Sequence, residues 1–287
     1  MTMQIVKPDP NWPIGKHALM NIHVLRRNGR TEIDPKSWRI PYQWQGCHYQ
    51  DNDDQPFLLL INSGGGYVEG DASELVGKLE RGARALITTT AASKFYKCPG
   101  GQTSREIVTL RAEPDTLLEF YPDESIPFAN ARVQRRISLE IAGSTNMFAA
   151  DIIAAGRIHH AQGEAFAFAE IDSEFRVLVD GQVMLLDRLV AKTPEEVGAL
   201  RRLWNGAMIM ATVVGHGSAL PQGIEEEIET RLAGLELNSF GATRNGDMVT
   251  CRILADEAWA CHEAIQACWE LMRPSLAGKP ARVIRKC

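Results

Sequence analysis

A glycine cluster at residues 63–71 (SGGGYVEGD) has the spacing that comes closest to a known chemistry, the binding of phosphate groups. Gly65 and Gly70 are spaced like the glycines of a P-loop, which must be followed by Lys and then Ser or Thr. In this chain Asp71 and Ala72 occupy those two positions. Because a carboxylate would repel phosphate, the sequence argues against a P-loop.

The same cluster also approaches the dinucleotide-binding pattern G-x-G-x-x-G. Gly64 and Gly66 fit the first two positions, but Glu69 replaces the third glycine. A relaxed pattern ending at Gly70, with residues 72–80 (ASELVGKLE) as the following helix, leaves open a β-rich enzyme that binds a nucleotide at residues 64–71. We favour the other interpretation, a tight turn whose glycines adopt positive φ angles.

Metal-binding and hydrolytic patterns are weak. Neighbouring side chains point in different directions in strands and helices, so adjacent Cys and His residues rarely bind one ion together. The sequence has no H-E-x-x-H and no G-x-S-x-G motif, and it predicts neither a tight structural metal site nor a hydrolase. Asp123 and Glu124 are interpreted as a solvated turn after Pro122. Weak oxygen-ligand sites remain open at Glu69, Asp71, Glu119 and Asp151.

The elements that would position such residues are mostly strands. From 57 to 190 the chain alternates β-forming segments with turn signals, and Asp180-Gly181 predicts a hairpin. Strands are predicted at 17–26, 31–40, 57–61, 83–90, 105–111, 116–121, 132–141, 147–153, 165–171, 175–179 and 183–189. The last third predicts a capped helix from Thr193 to Trp204, strands at 207–214 and 248–254, and helices at 225–235 and from Asp256 to Pro274.

A faint repeat runs through the β-rich part. A turn, a small residue and an apolar strand recur at Ala83, Thr116 and Thr145, in steps of 33 and 29 residues. Such a period suggests stacked β-units, although an ordinary β-meander would give a similar pattern.

Composition narrows the class of protein. The 287 residues carry a net charge of −5 and are 45% hydrophobic, which is typical of a globular protein without a broad basic face for nucleic acid. No apolar run reaches the length of a membrane span, and residues 1–11 lack a signal-peptide core. The six cysteines show no C-x-x-C pair, so we expect reduced thiols and a cytoplasmic location.

Six segments, taken together and in order, resemble the motifs of the urease accessory protein family UreD, also called UreH. The family motifs are G-G-x-V-x-G-D, T-T-x-x-A-T-K-x-Y-R, L-E-W-L-P-Q-E-x-I-x-F, W-E/D-x-x-x-x-G-R, E-R-L and L-W-x-x-x-R-P. The matching segments are residues 65–71 (GGYVEGD), 88–97 (TTTAASKFYK), 118–128 (LEFYPDESIPF), Asp151 with 156–157 (GR), 187–189 (DRL) and 269–274 (WELMRP).

The resemblance implies a non-catalytic maturation factor with a mainly β fold. It implies stacked β-sheets of β-helix-like architecture, a few helices in the C-terminal third, and a strand instead of a helix at 72–80. The chain would be one UreD-like domain, with divergent N-terminal strands at 1–56, a β-stack at 57–190 and an α+β part at 191–287. Its partners would be apo-urease and accessory proteins of the UreF and UreG type. We expect it to bind neither nucleic acid nor a membrane.

The resemblance also implies that Ni²⁺ passes transiently through an internal polar passage, with no tightly bound cofactor. An ion in transit needs oxygen or nitrogen ligands that release it, and buried polar groups lower its desolvation barrier. A buried side chain that caps local backbone is the alternative for each candidate. Lys94, Tyr96 and Arg157 would organise the sheet or a partner surface. The candidates are the polar positions of otherwise apolar strands: Asp71, Thr88, Thr90, Glu119, Asp151 and Asp187.

Overall fold

The computed structural model describes residues 15–50, 54–160, 163–284 and 286. In this part of the chain the strands are β1 (His17–Arg27), β2 (Arg30–Arg39), β3 (Tyr42–Gln43), β4 (His48–Tyr49), β5 (Pro56–Asn62), β6 (Ala72–Leu79), β7 (Arg84–Thr89), β8 (Ser93–Phe95), β9 (Ser104–Ala112), β10 (Leu117–Phe120), β11 (Ser125–Pro127), β12 (Arg132–Ile141), β13 (Asn146–Ala154), β14 (Glu170–Val179), β15 (Gln182–Ala191), β16 (Ile209–His216), β17 (Ser239–Asn245) and β18 (Met248–Ala255). The helices are α1 (Pro194–Leu203), α2 (Ile224–Leu232) and α3 (Ala258–Ala277).

The strands form two sheets. The first sheet has seven strands in the order β15-β14-β12-β9-β6-β1-β2. The second has eleven, with the main order β17-β18-β16-β13-β10-β7-β5-β3. From β5 to β14 the chain passes back and forth between the sheets, and neighbouring central strands of each sheet run parallel. This is the predicted stacked, β-helix-like architecture, and the three helices of the described residues all lie in the C-terminal third.

The pairing register confirms the stacked interpretation of the repeat. In the second sheet Leu117 pairs with Arg84, 33 residues earlier, and with Asn146, 29 residues later. In the first sheet Arg105 pairs with Ala72 and Gln134 at the same two steps. Each repeat therefore adds one strand to the first sheet and one strand to the main path of the second sheet.

Two apolar layers hold the sheets in place. One layer lies between the sheets and contains Leu75 and Leu110 of the first sheet and Ile87 and Leu118 of the second. The other lies between the second sheet and α3, whose Trp269 is fully buried. Because the second sheet is covered on both faces, β13 and β16 are apolar along almost their whole length.

Some predicted boundaries were wrong. Residues 72–79 are a strand, as the resemblance implied, and Gly77 lies so close to β9 that a Cβ atom there would be 2.6 Å from the Leu110 side chain. The strand predicted at 165–171 begins only at Glu170, and β17 was missed. Pro274 does not end α3, which continues to Ala277 and ends at Gly278 with φ 71°.

The remaining expectations concern the termini and the thiols. Cys47, Cys98, Cys251, Cys261 and Cys268 are free thiols, as predicted, whereas Cys287 and residues 1–11 lie outside the described residues. Within the described ranges, no helix has the length and apolar character needed to cross a bilayer.

The N-terminus of α1 gives a first testable prediction. Thr193 Oγ1 accepts a hydrogen bond from the Glu196 N–H, and the Glu196 carboxylate accepts one from the Thr193 N–H, which completes a capping box. We expect Thr193→Ala to lower the free energy of unfolding by about 1 kcal/mol in urea denaturation, because it leaves a helix N–H without its acceptor.

Thr230→Ala in α2 is the matched control. Its hydroxyl donates only to the Glu226 carbonyl four residues earlier, so we expect a change within about 0.5 kcal/mol. Equal losses in the two variants would contradict the capping argument.

Candidate functional site

A file of polar side chains crosses the apolar layer between the two sheets. Its centre is Arg135 of β12, whose side chain is 3% exposed. Arg135 Nε donates to Glu106 Oε2 of β9 at 2.9 Å, and its Nη2 and Nη1 donate to Asp151 of β13 at 2.7 and 3.3 Å. One guanidinium thus links the first sheet to the second.

Strand alternation explains why these side chains face each other. In β12 the odd-numbered residues Ile137 and Leu139 point to the other sheet, and Arg135 has the same parity. Glu106 pairs with Arg135 in register, and Asp151 pairs with Thr212 of β16. Thr212 Oγ1 donates to Asp187 of β15 at 2.5 Å. Ser93 Oγ of β8 donates to Glu106 Oε1 at 3.1 Å. We call this set the polar file: Ser93, Glu106, Arg135, Asp151, Thr212 and Asp187.

The charge of the polar file is fixed by its geometry. Burial alone would lower the pKa of Arg135, but the carboxylates of Asp151 and Glu106 outweigh it and raise that pKa above its usual range. Arg135 therefore remains a cation between two carboxylate side chains. Tyr67 donates to Glu106 at 3.2 Å, and burial raises the pKa of its phenol, which keeps it a neutral donor.

Two adjoining cavities reach the polar file from the glycine segment. The outer cavity is about 90 Å³ and is lined by Gly65, Gly66 and Thr90, among others. The inner cavity is about 20 Å³, which is enough for one water molecule, and includes Thr88 and Arg135 in its wall. We call the two cavities together the passage. Both are lined by Tyr42, Leu60, Thr89, Ser93 and Glu106.

The structure brings four of the six candidate residues to this region. Thr88 and Thr90 line the inner and outer cavity, and Thr88 Oγ1 donates to the Tyr121 carbonyl. Asp151 and Asp187 belong to the polar file, where Asp187 also accepts from Arg252 at 2.9 Å. Their contact with nickel stays a prediction.

The other two candidates lie elsewhere. Asp71 accepts the backbone N–H of Lys16 at 2.7 Å and of Val68 at 3.0 Å, which is the capping role considered as its alternative. Glu119 points to the opposite face of the second sheet, where the side chains of Trp269 and Arg273 donate to it at 2.6 and 2.9 Å. Both carboxylates hold parts of the fold together.

Sequence reasoning missed the centre of the polar file. Glu106 and Arg135 each lie in phase with buried apolar neighbours of an alternating strand, as the burial of Val108 and Ile137 makes plain. A charged residue in that phase is the signal that would have found them. The residues of both strands follow no known motif spacing.

The glycine segment does not have the structure of a dinucleotide-binding loop. It leads into strand β6 instead of a helix, so the element that follows it supplies no helix N-terminus for a phosphate group. Gly66 has φ 139°, and a Cβ atom there would lie 2.5 Å from the Lys94 carbonyl oxygen. The helix that the dinucleotide alternative placed at residues 72–80 was therefore wrong, and the favoured interpretation, a turn with positive φ angles at Gly65, Gly66 and Gly70, is confirmed.

Three surface or turn residues also differ from expectation or extend it. Asp123 and Glu124 were predicted to form a solvated turn, but both are half-buried. The Asp123 N–H donates to Thr89 Oγ1, and the Ser93 N–H donates to the Glu124 carbonyl. Arg157 forms an ion pair with Glu164 and lies over the Phe128 ring, and its role in organising the sheet or a partner surface stays a prediction.

Comparisons with known proteins identify the family of the chain. A family model described as UreD urease accessory protein matches residues 16–286. A urease accessory protein UreD from Klebsiella pneumoniae is 30% identical over 92% of this chain and 94% of its own length. A urease accessory protein UreD from Nitrosospira multiformis is 30% identical over 93% of this chain and 96% of its own length. A urease accessory protein UreD from Alcanivorax borkumensis is 26% identical over 96% of this chain and 91% of its own length. The chain belongs to the UreD urease accessory protein family.

Proposed function

We propose that this chain, an accessory protein of urease maturation, helps to insert nickel into apo-urease by letting Ni²⁺ move through the passage and along the polar file. The observation that carries the proposal is a set of connected oxygen ligands inside an otherwise apolar layer. Buried polar groups are costly to fold around unless they are paired, and these groups are paired with one another inside the protein.

The charges of the polar file suit a cation in transit. The two carboxyl groups of Glu106 and Asp151 flank the single guanidinium of Arg135, so acidic side chains outnumber basic ones at this point of the interior. Hydroxyl and carboxylate oxygens bind Ni²⁺ more weakly than a thiolate cage would, which favours release. The Arg135 guanidinium already donates hydrogen bonds to oxygens of both carboxyl groups, which further limits how tightly these oxygens can hold an ion.

Protein partners are the second part of the proposal. β15 is an edge strand of the first sheet, and its Val183 and Leu186 are 57% and 59% exposed. An apolar strand edge is suited to docking another protein. We propose that such surfaces connect urease subunits with UreF-like and UreG-like accessory proteins in the cytoplasm.

A plug in the passage tests the nickel route. Ser93 lines both cavities, so Ser93→Leu would fill space that an ion needs, whereas Ser93→Ala would not. In cells that express urease with its accessory proteins, we expect Ser93→Leu to lower the nickel content and activity of urease at least about tenfold. Ser93→Ala should have a small effect.

Co-purification separates a blocked passage from a lost complex. We expect the Ser93→Leu protein to remain bound to urease and the other accessory proteins at the wild-type amount. Full nickel loading of urease by a folded, bound Ser93→Leu protein would overturn the route through the passage.

A further inference from the structure

Three side chains with metal-ligand atoms meet outside the polar file. Asp123 and Glu124 lie between β10 and β11, and His262 lies in α3, 138 residues after Glu124. One ligand atom from each of the three lies within 4.8 Å of the other two. His262 Nε2 and Glu124 Oε2 are 2.9 Å apart. A shared ion at their centre would require only small side-chain movements.

The backbone around the cluster is held in place by other contacts. The Asp123 N–H donates to Thr89 Oγ1 at 2.9 Å, and the Glu124 carbonyl accepts the Ser93 N–H at 2.9 Å. The Tyr121 hydroxyl donates to the His262 carbonyl at 3.5 Å. The first two bonds fix the β10–β11 connection to β7 and β8, and the third joins Tyr121 to α3. Together they hold the ligand atoms near one another, which lowers the entropy lost on binding.

The cluster lies between the surface and the passage. A surface cavity of about 320 Å³ is lined by Tyr121, Asp123, His262 and Gln266, among others. Asp123 also lines the inner cavity of the passage. An ion held by these residues would be reachable from solvent on one side and adjacent to the passage on the other.

A lysine supplies positive charge at the same place. Lys286 Nζ donates to Asp123 Oδ1. Burial alone would raise the pKa of Glu124, but the hydrogen bond from His262 and the nearby charges of His262 and Lys286 lower it below its usual value. Glu124 is therefore ionised at neutral pH, and the Lys286 ammonium competes for the position that a metal ion would take.

We propose that Asp123, Glu124 and neutral His262 bind one divalent transition-metal ion, which displaces Lys286 and the proton that His262 shares with Glu124. One imidazole nitrogen with two carboxylates suits Ni²⁺, Co²⁺ or Zn²⁺ better than Mg²⁺ or Ca²⁺, which prefer oxygen ligands alone. The binding site is a property of the isolated chain. Only its role as a stopping point at the outer end of the passage rests on the proposed function.

Calorimetric titration of the purified full-length chain with NiCl₂ tests the site. We expect His262→Gln and Glu124→Gln to weaken the binding of this ion at least about tenfold, since even losing a group that supports a metal ligand has an effect of that size. His159→Gln is the matched control, because His159 Nε2 also lies 2.9 Å from a glutamate, Glu257, but among the described residues this pair belongs to no group of three metal ligands. It should bind Ni²⁺ like the wild-type chain.

Lys286→Gln distinguishes a metal site from a set of structural ion pairs. We expect this variant to bind Ni²⁺ several-fold more tightly, because the competing ammonium is gone. The proposal is overturned if the wild-type chain binds no Ni²⁺, if folded His262→Gln binds it as well as the control, or if Lys286→Gln binds it more weakly.

The two proposals fail in different ways. If His262→Gln loses Ni²⁺ binding but still supports full urease activation, the metal site is confirmed and its role in nickel delivery is contradicted. If Ser93→Leu supports full urease activation, the route through the passage is contradicted, and the proposal of the metal site is unaffected.

Discussion

Arg135→Met is expected to lower the free energy of unfolding by about 3–5 kcal/mol, one of the two largest effects of a single substitution in this chain. The variant keeps most of the aliphatic volume but leaves Glu106 and Asp151 buried between the sheets without their cation. An uncompensated buried carboxylate must be protonated or solvated, and either process destabilises the folded state. Urea denaturation followed by circular dichroism measures the change.

Arg132→Met provides the control on the same strand. Arg132 also bonds to a glutamate, Glu170 at 2.8 Å, but its side chain is 36% exposed. Exposed pairs contribute at most about 1 kcal/mol, so we expect a small loss. A similar loss in the two variants would mean that burial of the pair at Arg135 has no special effect.

Arg273→Met is expected to have an effect of the same size, about 3–5 kcal/mol, at the other apolar layer. Arg273 donates to both carboxylate oxygens of Glu119, at 2.9 and 3.1 Å, and the Glu119 side chain is only 1% exposed. Without Arg273, the side-chain donors to Glu119 among the described residues are the neutral groups of Gln55 and Trp269. Hydrogen exchange should then show faster opening of α3 as well as lower global stability.

A second substitution tests the cause of that loss. The double variant Glu119→Gln with Arg273→Met removes both charges, and we expect it to be more stable than Arg273→Met alone. Arg231→Met is the control, because Arg231 lies 3.7 Å from Glu270 in an exposed pair between α2 and α3. A double variant less stable than the single one would show that the lost interaction is not mainly the charge pair.

Much of the β-stack was predictable from the sequence because its signals are local. Turn residues and β-forming segments gave most strands, and the recurrence at Ala83, Thr116 and Thr145 gave the stacking period that the register confirms. The helix after Thr193 was predictable for the same reason, since a capping box involves only four neighbouring positions. The apolar residues at 72–80 have helical spacing, yet the segment is a strand. Periodicity alone does not show that β1 and β9 flank it on both sides.

The site was less predictable because its contacts are distant in the chain. Polar residues in apolar strands were correctly selected as candidates, but spacing alone could not tell which face of a sheet they occupy. Glu119 and Asp151 differ in this way, since one faces α3 and the other faces Arg135. The approach of His262 to Glu124 depends on how α3 packs, and no local pattern in the sequence carries that information.

The attachment of α3 also sets an order of events during protein synthesis. Trp269, which donates to Glu119, is made 150 residues after it. At about 5–20 residues per second, a ribosome needs roughly 8–30 s to cover that distance. During this interval Glu119 lacks its guanidinium, and the apolar outer face of β10 lacks its cover. The nascent chain therefore exposes an apolar face of an incomplete second sheet until α3 has been synthesised.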